Sequence, residues 1–243
     1  TAGADGSNTV TFTGEQTEVE AALNGMTFRG NQDFNGTGTI NIVVSDQGNT
    51  GAGGEKFDFQ SINVTVNAVN DDPTITTPPV VVPVLEGAGN SRVVTGLSID
   101  DVDNADAAGA VSATVTLSIP AGTGTLNVDG AAVGGATVTS GNGTNSVVLD
   151  GTVDQINATL ATVTGVTYTV PNGDFNNAVN GGPVVLTMAV NYNGNHGTGG
   201  GTDQSATVNI DVTPVNDEPD FTLGSNITLD EDAPAHTVAS FAT

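Results

Sequence analysis

Cysteine and tryptophan are absent from the 243 residues, and Lys and Arg total 3 against 27 Asp and Glu. Without cysteine there are no disulfide staples. That excludes a small disulfide-rich domain and suits a cytosolic protein or a bacterial exported one. A formal net charge of −24 nearly excludes nucleic-acid binding, because phosphate contacts need Lys and Arg. Anionic membrane surfaces would repel the chain for the same reason. Long apolar runs are lacking too. The longest, Val80–Leu85, is broken by Pro83, well short of the roughly 18 residues of a spanning helix. Aromatics make up only 4%, so Val, Thr, Ile and Leu must fill any core. The opening Thr-Ala-Gly-Ala-Asp is not a signal peptide. An exported protein would carry its signal elsewhere, and this sequence would be a fragment of a longer chain.

What the chain does contain is an internal repeat. Residues 64–73 read VTVNAVNDDP and residues 208–219 read VNIDVTPVNDEP, with Pro73 and Pro219 146 positions apart. The Gly-rich stretches DQGNTGAGG (46–54) and YNGNHGTGG (192–200) keep that spacing, Gly48 matching Gly194. Upstream, QDFNG (32–36) matches GDFNN (173–177), and residues 12–28 match 149–168 with a small insertion. Each proline is followed by an extended segment and an acidic turn, VLEGAG (84–89) and LDEDAP (229–234). The expected organisation is therefore the C-terminal part of a repeat A (1–72), a complete repeat B (73–218) and the start of a repeat C (219–243).

Local patterning is mostly that of strands. Thr9–Thr13, Thr39–Val44, Gln60–Val66, Ala113–Ile119, Ser146–Leu149, Gly165–Val170, Val184–Val190 and Ala206–Val212 alternate or are β-branched. Short strands between Gly, Asn and Asp turns predict an all-β chain of antiparallel sandwiches. Asn24-Gly25, Asn35-Gly36, Asp129-Gly130, Asn172-Gly173 and Asn193-Gly194 include several expected tight hairpin turns. One short helix is expected per repeat. Thr17-x-x-Glu20 and Thr152-x-x-Gln155 fit capping boxes, Val19 with Leu23 and Ile156 with Leu160 form i, i+4 stripes, and Gly25 is a stop. A parallel β-solenoid is the structural alternative, but Gly199-Gly200-Gly201-Thr202-Asp203 is one degenerate match to the serial nonapeptide it needs.

Fourteen of the 27 acids fall in windows 71–106 and 211–232. Two carboxylates about 4 Å apart repel by roughly 4 kcal/mol at an effective dielectric near 20, and Arg92 is the one basic residue in either window. A divalent cation is the simplest compensation. Oxygen ligands suit Ca²⁺, whereas Zn²⁺ is disfavoured by the lack of cysteine and the isolation of His196 and His236. The competing reading is a solvated acidic surface.

Val69-Asn-Asp-Asp-Pro73 and Val215-Asn-Asp-Glu-Pro219 resemble the inter-domain linkers of cadherin-like and immunoglobulin-like tandem repeats, in particular the joints of giant bacterial surface adhesins of the RTX type. Leu229-Asp-Glu-Asp-Ala-Pro234 resembles the family's acidic turn, and Leu85-Glu86-Gly87 is a poorer version of it. Ile99-Asp-Asp-Val-Asp103 is similar to its Asp-x-Asp turn. Asp33-Phe-Asn-Gly36, Val44-Ser-Asp46 and the Gly-rich loop also match. The resemblance covers essentially the whole chain and implies Ca²⁺ between successive domains. Joint A–B would use Asp33, Asn70, Asp71, Asp101 and Asp103. Joint B–C would use Glu86, Asp174, Asn216 and Asp217. The chain departs from the pattern in several places. Its linker is one residue shorter than the eukaryotic form, and Tyr192 stands where repeat A has Asp46. Repeat A lacks its acidic turn, and repeat C stops before its Asp-x-Asp.

Other candidates are weaker. Neither histidine has a nucleophile partner in a local motif. Paired carboxylates could serve a glycosidase, but no aromatic sugar platform is evident. Thr-x-Thr runs are ordinary strand composition, Asn63-Val-Thr65 and Asn157-Ala-Thr159 arise by chance in an Asn/Thr-rich chain, and a single lysine, Lys56, rules out an isopeptide bond in every repeat. The expected function is not enzymatic. It is that of Ca²⁺-rigidified extender repeats on a bacterial cell surface, spacing a distal binding domain, with neighbouring repeats as partners. The alternatives are a self-assembling extracellular fibre or surface layer, and a direct glycan- or ice-binding module.

Overall fold

The computed structural model describes residues 6–49, 51–105, 112–191, 198–199 and 201–237. It is mainly β-strand, with several antiparallel sheets, as the alternating patterns imply. The chain separates into two compact units. One comprises Thr1–Pro73, Asp100–Ser112 and Tyr192–Thr202, and the other Thr74–Ile99, Ala113–Asn191 and Asp203–Thr243.

In the first unit a helix α1 (Gln16–Asn24) precedes two long strands, β1 (Gly36–Ser45) and β2 (Phe57–Val66). These pair antiparallel over ten positions, from Gly36↔Val66 to Ser45↔Phe57, and form a sheet of their own. The helix starts earlier than Thr17. Glu18 Oε2 accepts the Glu15 N–H at 3.0 Å, which places the capping box at Glu15–Glu18 and Thr17 inside the first turn. A carboxylate at that end also suits the helix dipole. Thr9–Thr13 holds a single bridge residue rather than the expected strand.

The second unit carries β3 (Thr74–Thr76), β4 (Val82–Leu85), β5 (Ser91–Val93), all but the last residue of β6 (Ser98–Asp100), all but the first residue of β7 (Ser112–Ser118), β8 (Thr125–Val128), β9 (Thr137–Ser140), β10 (Ser146–Thr152), α2 (Val153–Leu160), β11 (Val166–Thr169), a one-turn α3 (Asn177–Asn180), β12 (Val184–Asn191) and β13 (Gln204–Thr213). Its sheets run β4-β13-β12-β7-β10-β9, β5-β11-β8 and β3-β6. The core is aliphatic, as the composition requires: Leu117, Leu126, Leu149, Ile156, Leu160, Leu186, Met188 and Ile210 are fully buried, with Tyr168 the one large aromatic among them. Tyr168 donates its hydroxyl proton to the Thr123 carbonyl at 2.6 Å. Burial pushes its pKa up to about 12. Gly124, at φ +130, leaves the room the ring needs, since a Cβ there would sit 2.6 Å from the Tyr168 ring.

Helix α2 starts where the sequence places it. Thr152 Oγ1 accepts the Gln155 N–H at 3.2 Å and Gln155 Oε1 accepts the Thr152 N–H at 2.9 Å, and the Ile156–Leu160 stripe is buried.

Two further expectations fail. The sheet is not purely antiparallel, because β4 joins the edge of β13 in parallel, Val82 opposite Ile210 and Val84 opposite Val212. Val82 and Val84 point inward and Pro83 outward, and an edge strand tolerates a proline that a central one would not. The Asn-Gly and Asp-Gly steps within the described residues are not two-residue hairpins either. Asp129 Oδ1 accepts the Ala131 N–H at 3.0 Å and Asn172 Oδ1 accepts the Asp174 N–H at 3.2 Å. These are side-chain-closed turns that redirect the chain between sheets. Asn193-Gly194 lies outside the described residues, as do His196, Tyr192 and Asp106.

The two long hairpins share one register. Val184↔Ile210, Leu186↔Val208 and Met188↔Ala206 in β12–β13 correspond, 146 residues earlier, to Gly38↔Val64, Ile40↔Ile62 and Ile42↔Gln60 in β1–β2.

Candidate functional site

The Asp-x-Asp turn follows β6 as a 3₁₀ turn, Val102–Ala105. Its geometry comes from short side chains bonding their own backbone, the property that places Asp in turns. Asp100 Oδ1 accepts the Asp101 N–H at 2.9 Å, and Asp101 Oδ1 accepts the Asp103 N–H at 2.8 Å. This turns both carboxylates inward, leaving Asp101 5% and Asp103 6% exposed, whereas a solvated acidic surface would leave them open. Asp103 Oδ2 accepts the Asp71 N–H from the Val-Asn-Asp-x-Pro segment at 2.9 Å.

Electrostatics place Asp33 in the same group. Partial loss of water raises the Asp71 carboxyl above the usual range, and the charges of Asp103, Asp33 and Asp72 raise it further. Asp101 is also raised, first by burial. The N–H of Asp103 opposes this, and the charges of Asp103, Asp71 and Asp100 add to it. The charged neighbours that shift these two groups are all acids. Asp72 behaves oppositely: the Thr202 N–H at 2.7 Å and hydroxyl at 2.9 Å bond its two oxygens and lower its pKa. Asp33 is exposed and sits at φ +58, in the left-handed region that Asp tolerates better than most residues. Asn70 donates its N–H to the Thr198 carbonyl at 3.3 Å and turns its amide to the Asp71 carbonyl at 3.0 Å.

The predicted second set divides. Glu86 is buried, 6% exposed. One of its oxygens accepts from the Asn176 amide at 2.6 Å, and the other accepts the Val215 N–H. Asn176 Oδ1 in turn caps α3 through the Ala178 and Val179 N–H groups at 2.9 and 3.2 Å. Asp174, Asn216 and Asp217 are exposed. The Asn216 amide turns to the Asp217 carbonyl at 3.4 Å, the same local bond as at Asn70.

Asn176, the partner of Glu86, is not among the candidate residues read from the sequence, although Asp-Phe-Asn occurs in both copies.

Chemically, the Asp33, Asp71, Asp101 and Asp103 group offers hard oxygen donors, the set Ca²⁺ prefers. Among the described residues, no three His, Cys, Asp or Glu side chains converge closely enough as they stand to hold a metal ion. Scanning against protein-family models finds no match for this chain, and searching the curated proteins finds none.

Proposed function

We propose that this chain consists of cadherin-like and immunoglobulin-like tandem repeats in the stalk of a bacterial cell-surface adhesin, acting outside the cell as a Ca²⁺-stiffened spacer for a distal binding domain. Repeat B would be a two-layer sandwich of the six- and three-stranded sheets, and the shared 146-residue register of the two hairpins supports a tandem array. The observation that carries the functional reading is the pair of buried carboxylates at Asp101 and Asp103, gathered with Asp71 and surrounded by further acids. Desolvating like charges is costly without a compensating cation. Ca²⁺ would draw on Asp71, Asp101 and Asp103, with Asp33 and Asn70 as further oxygen donors. Glu86 would serve the next joint with Asp174, Asn216 and Asp217. Bound cation supplies positive charge that lets the linker and the Asp-x-Asp turn share ligands, fixing the angle between successive repeats. Without it the carboxylates repel, and the joint bends.

Calorimetry in EDTA and in millimolar Ca²⁺ tests this. A ligand that binds only the folded state stabilises it by about 2.7 kcal/mol at a hundredfold excess over Kd, and extracellular modules often have Kd near 10⁻⁴–10⁻³ M. The melting temperature is expected to rise with Ca²⁺. No shift would remove the metal from the account.

A further inference from the structure

Aromatic residues make up only 4% of the chain, yet two of them stand side by side in solvent on one strand. Phe57 and Phe59 on β2 are 55% and 67% exposed, and Val43, which pairs with Phe59 from β1, is 58% exposed. The two ring centroids lie 6.3 Å apart with their planes tilted by 30°, about one two-residue step of an extended strand. Alternation explains the placement. Successive side chains of a strand point to opposite faces, and β2 pairs with β1 without a register shift. Ile62, Val64 and Val66 therefore share one face, and Phe57 and Phe59 must lie on the other.

The β12–β13 hairpin identifies which face is which. By the 146-residue offset, Ile62, Val64 and Val66 match Val208, Ile210 and Val212, all buried, whereas Phe57 and Phe59 match Asp203 and Ser205, both exposed. Those two stay in solvent although strands flank that hairpin on both sides. The phenylalanines thus occupy the solvent side of their sheet, where the other hairpin carries polar residues. Large apolar groups gathered in one exposed place mark binding surfaces, whereas singly scattered ones do not.

We propose that this face binds a neutral saccharide, whose C–H groups lie on the Phe57 and Phe59 rings and whose hydroxyls bond the neighbouring polar side chains. Size decides against a protein partner. The two rings and Val43 offer roughly 300 Å² of exposed surface, against about 800 Å² per partner in a stable protein interface. Charge decides against an ion. No outward position of the two strands is charged, so the face offers neither a carboxylate to a cation nor Lys or Arg to an anion. The net charge of −24 also repels a second copy of the chain. A saccharide matches what remains. Its pyranose rings have C–H faces that suit the negative face of an aromatic ring. Its hydroxyls need donors and acceptors, and next to the Val43–Phe59 pair the same face presents Asn41 opposite Ser61, then Thr39 opposite Asn63. The Thr39 hydroxyl donates to Asn63 Oδ1 at 3.1 Å and fixes that amide. From Phe57 to Asn63 the strand spans about 20 Å, room for several sugar rings. This activity goes beyond the calcium reading and does not depend on it.

Amide NMR spectra of the full chain in EDTA, titrated to about 10 mM with cellotetraose, mannotetraose and chitotetraose, test the proposal. At least one of these neutral tetrasaccharides should bind with a Kd of about 1 mM and shift resonances of β1 and β2. Phe57→Ala with Phe59→Ala should weaken that binding about tenfold or more. Both changes lie on the solvent side of the sheet, so the rest of the spectrum should stay as it is. Phe57→Tyr with Phe59→Tyr keeps both rings and should bind within about threefold of the parent. Raising NaCl to about 0.5 M should leave the affinity unchanged, because the contact carries no charge. No shift with any of the three sugars would overturn the proposal, and so would shifts confined to the second unit or binding that the double alanine variant retains. Hairpin resonances that move on diluting the free chain would assign the face to a second copy and overturn it too.

Discussion

The Asp71 N–H donates to a carboxylate oxygen of Asp103 at 2.9 Å, across 32 residues of sequence. That bond ties the Val-Asn-Asp-x-Pro segment to the Asp-x-Asp turn while adding no positive charge. The acids are thus positioned by backbone N–H groups, and their mutual repulsion remains.

Replacing Asp101 and Asp103 together by Asn should abolish the Ca²⁺-dependent rise in melting temperature and leave the second unit folded. An Asn oxygen can still accept the Asp103 and Asp71 N–H bonds, so the change removes charge without opening a cavity. Asp129→Asn should leave the Ca²⁺ response unchanged, because that carboxylate is occupied by the Ala131 N–H and the Thr164 hydroxyl at 3.0 and 2.9 Å. Differential scanning calorimetry with and without Ca²⁺ reads both. Equal losses per charge removed would favour a merely solvated acidic surface.

The pH dependence in EDTA has opposite signs at Asp101 and Asp72. Asp101 is raised by burial, so its folded form prefers the proton. Below about pH 3.9, the unfolded value, both states are protonated and the penalty vanishes. Above the raised folded value both are ionised and it is fully present. Asp101→Asn should therefore stabilise the chain most near neutral pH, with the gain shrinking toward pH 4. Asp72 is lowered by its bonds to Thr202, and its contribution is present above about pH 3.9 and lost as pH falls through the lowered value. Asp72→Asn should destabilise near neutrality, with the loss shrinking in acid. Thermal melts across pH 3 to 7 check the signs, and an Asp101→Asn gain that grows on acidification would contradict the assignment.

Glu86→Ala should cost about 1–3 kcal/mol, because it strips a buried partner from the Asn176 amide. Asn176→Ala removes the other half of that bond and also uncaps α3. A cap alone is worth roughly 0.5–2 kcal/mol. The double variant should cost less than the sum of the two, since the residues share one interaction. Urea unfolding of the three variants measures the coupling.

The strands of the long hairpins were legible because six- and seven-residue runs that alternate or are β-branched favour extended backbone, but which strand pairs with which was not. Helix α2 was legible because Thr152 and Gln155 leave no competing cap. Helix α1 was legible only in outline, since Glu15 and Glu18 cap it before Thr17 can. The β4–β13 pairing was not legible. Its strand is four residues long and contains Pro83, and its partner lies more than a hundred residues on, so no local pattern encodes it. At the site, acid clustering pointed to the windows around the repeat boundaries, and the grouping of Asp71 with Asp101 and Asp103 was what the family resemblance implied. Asn176 escaped because its role depends on Glu86, 90 residues earlier, and an amide among so many asparagines carries little signal alone.

Tyr168→Phe should cost about 1–2 kcal/mol by leaving the buried Thr123 carbonyl without its donor, with the ring packing retained. Gly124→Ala should cost more, because its φ is +130 and the new methyl would meet the Thr169 carbonyl at 2.5 Å. Urea denaturation ranks the pair, and a neutral Tyr168→Phe would show that water replaces the bond.

Stiffening by Ca²⁺ is tested most directly by small-angle X-ray scattering of the full chain in EDTA and in millimolar Ca²⁺. The account predicts that Ca²⁺ narrows the distribution of interatomic distances toward a single extended form, and that Asp101→Asn with Asp103→Asn abolishes the change. Superimposable profiles with and without Ca²⁺ would contradict it.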